Sequence, residues 1–158
     1  MKVSDYILKF FVKKKIDKVF QVYGAATGEL VDAFTRNNKI KYICPFHEQA
    51  AGFMAEGYSK IKRLPGIALS TSGPGATNMI TSATNCFYDS IPCFFIAGQI
   101  NSSFMRPHEN IRQIGFQETD TVTLFKPITK YSVRINNAKD IKYELEKSFF
   151  IATNGRQG

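Results

Sequence analysis

Short apolar segments alternate with longer segments of helical character, and this alternation constrains the fold more than any other feature of the sequence. Apolar runs of strand length lie at residues 18–22, 40–44, 67–71, 93–97 and 128–133. Helical segments are predicted at 3–15, 29–37, 48–62, 77–88, 119–125 and 138–153. Several apolar runs lack polar positions, which is typical of strands covered on both faces. The pattern predicts an α/β fold: a parallel sheet of about six strands with helices on both faces.

The end of the chain falls where the alternation calls for another strand. The helix predicted at 138–153 leads into Asn154-Gly155, a turn sequence, and the chain stops at Gly158. We therefore expect a truncated last strand and a single domain, residues 1–158, of a longer protein. The alternative is a natural terminus with a frayed tail.

Composition excludes several classes of protein. With 44% hydrophobic and 22% charged residues, the chain resembles an ordinary globular domain. No apolar run reaches the ~18 residues of a membrane span, and no signal peptide is recognisable. Cys44, Cys86 and Cys93 lack metal-ligand spacing, so we expect reduced thiols, no metal site and a cytoplasmic location. The net charge of +8 is scattered, which argues against a nucleic-acid partner.

A glycine-rich turn follows the third apolar run. Gly73-Pro74-Gly75 precedes a helix predicted from Thr77, but Asn78 stands where a dinucleotide fingerprint needs its third glycine. No Gly-Lys-Ser/Thr follows a glycine loop, which excludes a P-loop. The turn still lies at the carboxyl edge of the predicted sheet, where open α/β sheets bind ligands. A tight turn without a ligand is the alternative.

His47 and Glu48 follow the second apolar run and begin a helix rich in small residues. A carboxylate is favoured at a helix N-terminus, so Glu48 has an ordinary explanation as a first-turn residue. His47 has one as a hydrogen-bonded structural histidine. Their place at the carboxyl end of a predicted strand, beside glycine-containing turns, nevertheless favours a functional site.

These motifs resemble the pyrimidine-binding (PYR) domain of thiamine diphosphate enzymes. FHEQAA at 46–51 with AEGYS at 55–59 resembles the family's glutamate motif, and TSGPGATN at 71–78 its second signature. Later blocks resemble the acetolactate synthase branch: DSIP at 89–92, GQ at 98–99, GFQETD at 115–120 and PITK at 127–130. The closing GRQG at 155–158 resembles the turn before the domain's last strand. The resemblance covers nearly the whole chain, in the family's order.

The resemblance implies a set of site residues. Glu48 becomes the catalytic carboxyl that hydrogen-bonds the aminopyrimidine ring of thiamine diphosphate and promotes loss of the thiazolium C2 proton. The residues implied to bind the cofactor are Gly24, Glu48, Pro74, Gly75 and Asn78. The candidates on the substrate side are Ala25, Phe116, Gln117 and Lys130.

Other parts of the family's enzymes have no counterpart in the chain. No Gly-Asp-Gly occurs, so the resemblance implies that a separate pyrophosphate-binding domain holds the diphosphate and Mg²⁺. The middle domain, which carries FAD in true acetolactate synthases, is also missing, and the resemblance allows FAD in the full-length enzyme. Residues 1–158 alone are expected to be inactive. A homodimer or higher homo-oligomer is expected through residues 48–58 and 76–88, whose small residues are Ala50, Ala51, Gly52, Ala55 and Gly57.

The implied activity is decarboxylation of a small 2-oxo acid such as pyruvate and transfer of the two-carbon unit to an acceptor. Two alternatives stay open: another thiamine diphosphate-dependent decarboxylase or lyase, and a non-catalytic α/β binding module. One departure bears on the choice, because the loop that usually reads Pro-Gly-Gly is Tyr23-Gly24-Ala25-Ala26 here, with only Gly24 retained. The stretch 101–112, with His108 and Glu109, is either a surface loop or part of the substrate side.

Overall fold

A parallel sheet forms the centre of the protein. A computed structural model of the chain describes residues 1–107 and 110–158. In this part of the chain the strands are β1 (Lys18–Gln21), β2 (Lys41–Ile43), β3 (Gly66–Ser70) and β4 (Cys93–Ala97). They form one four-stranded sheet in the order β2-β1-β3-β4, with every neighbouring pair parallel. The predicted parallel α/β class is confirmed.

Seven α-helices surround the sheet in the described part of the chain. They are α1 (Val3–Lys13), α2 (Gly28–Thr35), α3 (Glu48–Lys62), α4 (Pro74–Thr77), α5 (Ile80–Tyr88), α6 (Thr121–Phe125) and α7 (Ile141–Thr153). None of the described helices is long and apolar enough to cross a membrane.

Two neighbouring residues of β4 show how the helices divide between the two faces. The Phe94 ring packs 5.4 Å from Phe11 of α1 and 6.3 Å from Phe149 of α7, measured between centroids. The Phe95 ring instead lies 6.5 Å from Phe125 of α6. Because successive strand residues point to opposite faces, the sheet is covered on both sides. All five residues of β3 are buried between these two layers.

The predicted number of strands was too high. About six were expected, and four are found in the described residues. The expected strand at 128–133 is a 3-10 turn over Lys126–Ile128 followed by irregular chain. A cavity of about 520 Å³, lined by both β4 and residues 129–136, lies between them. Residues 129–136 therefore have no neighbouring strand with which to form a hydrogen-bond ladder.

The helix predicted at 77–88 starts earlier and is interrupted. Pro74 begins α4, since proline needs no N–H partner in a helix's first turn. Asn78 and Met79 separate α4 from α5. The remaining helices and strands begin and end close to their predicted positions. In the 101–112 stretch, His108 and Glu109 lie outside the described residues.

Candidate functional site

The turns that follow the strands pack against one another at the carboxyl edge of the sheet. A Cβ atom on Gly24, after β1, would overlap the Thr71 side chain, which follows β3. A Cβ atom on Gly98, after β4, would lie 2.5 Å from the carbonyl oxygen of Ala26. The Ala26 N–H also donates to Thr71 Oγ1 at 3.4 Å. The three turns thus form one continuous surface in which glycine is required for close approach.

Glu48 enters this surface from the start of α3. His47 precedes the helix with extended backbone, and its Nδ1 accepts a hydrogen bond from the Gln49 N–H at 3.1 Å. His47 is therefore an N-cap, as its structural explanation predicted. Glu48 is the first residue of the helix, where the dipole favours a carboxylate. Its side chain is half-buried.

The two carboxylate oxygens of Glu48 have different neighbours. Oε2 accepts a hydrogen bond from Asn78 Nδ2 at 2.9 Å. Oε1 is directed towards Gly75, where an added Cβ atom would lie 3.3 Å from this oxygen and 2.8 Å from Thr71 Cγ2. No hydrogen bond reaches Oε1 from the described residues. Glycine at position 75 therefore allows Thr71 and Glu48 to pack closely over it, and Oε1 is the carboxylate oxygen without a hydrogen-bond partner among the described residues.

The remaining residues predicted to bind cofactor lie around this carboxylate. Gly75 is buried beneath it, and Pro74 is exposed beside it. Gly24 is joined to the same surface through Thr71. The structure thus brings together all five residues, Gly24, Glu48, Pro74, Gly75 and Asn78. Their roles toward a cofactor stay predictions.

The substrate-side candidates do not form one cluster. Ala25 is exposed in the turn after β1, and the Phe116 side chain is 81% exposed. Gln117 has a left-handed φ of 59°, and its carbonyl oxygen would lie 2.6 Å from a Cβ atom on Gly73. Gln117 therefore lies beside the glycine-rich turn. Its role and those of Ala25 and Phe116 stay predictions.

Lys130 lies at the C-terminal end of α7, where its ammonium group is engaged by backbone. Nζ donates to the carbonyl oxygens of Asn154 at 2.9 Å and Arg156 at 2.6 Å, and also to that of Ile151. Cations are favoured at the carboxyl end of a helix. These contacts engage the ammonium group with backbone carbonyls, and the role of Lys130 on the substrate side stays a prediction.

Two residues that position the surface were given no role by the sequence analysis. The Thr71 side chain separates Gly24 from Gly75. Glu118 is buried and accepts hydrogen bonds from the backbone N–H groups of Ile114 at 3.0 Å and Arg106 at 2.8 Å. Those hydrogen bonds hold the pKa of Glu118 below its ordinary value. An acidic residue inside a long irregular segment was the signal that could have identified it.

A second carboxylate–amide pair lies further along α3. Asn85 Nδ2 of α5 donates to Glu56 Oε2 at 2.9 Å. The Lys60 ammonium group contacts the other oxygen, Glu56 Oε1, at 2.5 Å. The Glu56 side chain is 6% exposed, so both of its oxygens are occupied inside the protein.

The small residues of α3 were expected to face another subunit, but most pack within the chain. Ala51 and Ala55 are fully buried, and a Cβ atom on Gly52 would overlap Ser82 of α5. A Cβ atom on Gly66 of β3 would meet the Ala55 backbone, so α3 lies close against the sheet. The interpretation of the small residues as an intersubunit series is therefore corrected. The outward face of α3 instead carries Phe53, Met54, Gly57 and Ile61.

Comparison with known proteins identifies the domain. The family model described as "Thiamine pyrophosphate enzyme, N-terminal TPP binding domain" matches residues 1–124. The chain belongs to this family. The match covers β1 to β4 and all five residues around the Glu48 carboxylate. As a thiamine pyrophosphate-binding domain, the chain has thiamine diphosphate as its cofactor, and its predicted family is confirmed.

The chain is similar to acetolactate synthases over nearly its whole length. It is 36% identical over 157 residues to the chloroplastic acetolactate synthase of Arabidopsis thaliana, covering 99% of this chain and 22% of that protein. It is 37% identical over 146 residues to the mitochondrial acetolactate synthase catalytic subunit of Saccharomyces cerevisiae, and this match covers 92% of this chain and 20% of that protein. It is 36% identical over 155 residues to the acetolactate synthase large subunit of Buchnera aphidicola subsp. Acyrthosiphon pisum, and this match covers 98% of this chain and 26% of that protein. The TPP-binding domain thus spans between a fifth and about a quarter of these relatives.

Proposed function

We propose that the chain is the pyrimidine-binding domain of a longer enzyme of the acetolactate synthase type. That enzyme would decarboxylate a small 2-oxo acid such as pyruvate and transfer the two-carbon unit to an acceptor. The observation that carries the proposal is the Glu48 carboxylate, with Asn78 on one oxygen and the side-chain-free Gly75 beside the other. The 36% sequence identity to an acetolactate synthase, in a match that covers 99% of the chain, supports the choice of reaction.

The residues of the site fit the aminopyrimidine half of thiamine diphosphate. Glu48 would hold a proton between Oε1 and a ring nitrogen, because Oε1 is the oxygen without a protein partner in the described residues. Gly75 would keep the Glu48 carboxyl group in its place beside Thr71, since a side chain at position 75 would press against both residues. When bound, thiamine diphosphate supplies the electron sink that decarboxylation requires.

The diphosphate end of the cofactor calls for a different set of residues. Among residues 1–107 and 110–158, no group of three or more His, Cys, Asp or Glu side chains could hold a metal ion. Mg²⁺ prefers oxygen ligands together with phosphate. We therefore assign Mg²⁺, diphosphate and any FAD to further domains of the longer enzyme. The chain's share of its relatives' length supports that assignment.

The role of Glu48 is tested by Glu48→Gln in the longer enzyme. We expect deuterium exchange of the thiazolium C2 proton, followed by NMR, to slow by about a hundredfold or more, because general acid–base catalysis contributes that much. Cofactor binding should persist. Glu29→Gln, on an exposed residue of α2, is the control. Unchanged exchange in Glu48→Gln would remove Glu48 from catalysis.

The 158-residue chain alone should bind thiamine diphosphate no tighter than about millimolar, equivalent to about −4 kcal/mol. The pyrimidine surface offers few hydrogen bonds to offset the lost rigid-body freedom. Titration calorimetry at low and high salt is the measurement, because the +8 net charge attracts diphosphate in a salt-sensitive way. Magnesium-dependent micromolar binding, or turnover of pyruvate, would contradict this expectation.

We further propose a homodimer or higher homo-oligomer through the outward face of α3. Ile61 is 83% exposed there, and Phe53 and Met54 are about half as exposed. A series of apolar side chains on one exposed helix face is typical of an interface. In the longer enzyme Met54→Arg should reduce the mass measured by sedimentation. Phe150→Arg, which changes an exposed residue of α7, should not.

The loop after β1 favours a second candidate, a thiamine diphosphate decarboxylase or lyase with another substrate. Only Gly24 is retained from the Pro-Gly-Gly that the resemblance expects, Ala25 follows it, and the Ala26 carbonyl packs against Gly98. A methyl group in this turn changes the space on the substrate side. Product analysis of the longer enzyme with pyruvate and with bulkier 2-oxo acids decides between the two candidates.

The three cysteines support a reducing compartment such as the cytoplasm. Cys44, Cys86 and Cys93 are all free. Disulfides form and persist mainly in oxidising compartments. A location in the cytoplasm is thus part of the proposal, and fractionation of the source cell tests it.

A further inference from the structure

Asn78 contacts Glu48 through a hydrogen bond that has a direction. The Nδ2 group of Asn78 can only donate, so Glu48 Oε2 must present a lone pair to it at 2.9 Å. A proton on Oε2, in the direction of Asn78, would point at the amide proton and repel it, so the hydrogen bond would be lost. The contact therefore distinguishes between two oxygens that are chemically equivalent in a free carboxylate.

We propose that Asn78 is a positioning residue that directs the exchangeable proton of Glu48 to Oε1, the oxygen beside Gly75. The proposal rests on the proposed function of Glu48 and deepens it. It differs from a direct contact between Asn78 and the cofactor, because Asn78 acts through Glu48.

The backbone of Asn78 is held in place at the start of α5. Its N–H donates to the Pro74 carbonyl at 3.0 Å, which ties it to α4. The next residue, Met79, is almost fully buried in the core. The Asn78 backbone is thus anchored at the break between α4 and α5, within hydrogen-bond distance of Glu48.

The neutrality of Asn78 matters as much as its position. At Glu56 the second oxygen meets a full positive charge, the Lys60 ammonium group. Among the ion pairs of the described residues, none involves Glu48. An amide orients the carboxyl group without a full charge, so the group remains free to take up and release a proton.

The first test uses the ¹⁵N-labelled 158-residue chain without any ligand. We expect the side-chain amide signals of Asn78 to move over the acid range in which carboxyls titrate, and to stay fixed in Glu48→Gln. The amide signals of Asn85 serve as the internal control and should move less, because Asn85 contacts Glu56 and not Glu48. An Asn78 amide that does not respond to pH in the unaltered chain would overturn the proposal.

The second test adds the probe 4-amino-5-hydroxymethyl-2-methylpyrimidine and follows the ¹³C signal of the Glu48 carboxyl carbon. Asn78→Leu should lose about tenfold in affinity, the equivalent of one hydrogen bond to a charged group, and should change the pH profile of binding. Asn85→Leu makes the same substitution in the Glu56–Asn85 pair, away from Glu48. Its affinity for the probe should therefore stay within about twofold of that of the unaltered chain. Amide spectra recorded beforehand verify that both variants are folded.

The two tests separate the proposal from the proposed function. If Glu48 of the unaltered chain shows no response to the probe even at concentrations well above millimolar, while the Asn78 amide still follows pH, the cofactor role fails and the control of the proton by Asn78 is supported. If Asn78→Leu binds the probe with unchanged affinity and an unchanged pH profile, Asn78 is not a positioning residue, whatever the function of Glu48. Should Asn78→Leu fail to fold, the pH response of the unaltered chain decides.

Discussion

Two carboxylate–amide pairs connect α3 with the α4–α5 segment, and they differ in one respect. Glu48–Asn78 and Glu56–Asn85 have the same hydrogen-bond length, 2.9 Å from Nδ2 to Oε2. In the second pair Lys60 occupies the remaining oxygen, and the Glu56 side chain is buried. In the first pair the remaining oxygen faces a glycine, and Glu48 is half-buried. The partner of the second oxygen thus separates a pair that holds two helices together from a pair that can serve a ligand.

The largest expected difference concerns stability. Asn85→Leu should destabilise the fold by about 3 kcal/mol, because it leaves a buried carboxylate oxygen without its donor. Asn78→Leu should cost less than about 1 kcal/mol, since water can reach half-buried Glu48. Urea unfolding at neutral pH measures both. Equal losses would show that the two pairs do not differ in the way proposed.

The next difference concerns the packing of α3 between the two pairs. Gly52→Ala should destabilise by about 2 kcal/mol, because the new methyl group overlaps Ser82 and forces α3 and α5 apart. Gly57→Ala, on the same helix, meets no atom within 4 Å and should stabilise by about 1 kcal/mol through helix propensity alone. Thermal unfolding at low protein concentration is the measurement. A loss of stability in Gly57→Ala would indicate that this position is not open.

The smallest expected effect is a pH dependence of the stabilisation that the Glu56–Lys60 contact provides. The hydrogen bond to Glu56 raises the pKa of Lys60 above its ordinary value of 10.5. The pair's stabilisation is therefore complete below pH 10.5 and is lost as pH rises through the raised pKa. In Lys60→Met this contribution is absent, so its urea midpoint should approach that of the unaltered chain above pH 10.5. A difference that stays constant with pH would contradict the assignment.

The candidate site could be predicted from the sequence because the signals that mark it are local. Glu48 is the first residue of a predicted helix, and Gly73-Pro74-Gly75 forms a turn with its own signature. Parallel strands then bring such turns to one edge. The pairing of Glu48 with Asn78 is different in kind, since 30 residues separate them. Only the packing of α3 beside α5 brings the two together.

The expectations that the structure overturns share a cause. The type of a residue does not determine which residues it will contact. Small residues on α3 allow close packing against anything, and here Gly52 meets Ser82 inside the chain. The segment at 128–133 has strand composition, but no described strand pairs with it. In each case the deciding contact is made by a residue distant in the sequence.

The cavity beside β4 has a consequence for how the chain behaves in concentrated solution. In the described part of the chain, β4 pairs with β3 along one edge, and its other edge opens on a space of about 520 Å³. An unpaired strand edge offers a row of N–H and C=O groups to any extended peptide. Apolar side chains such as Phe94, Phe95 and Ile96 line this opening. The isolated chain should therefore be prone to aggregate by strand addition at this edge, and a peptide that occupies the edge should suppress the aggregation.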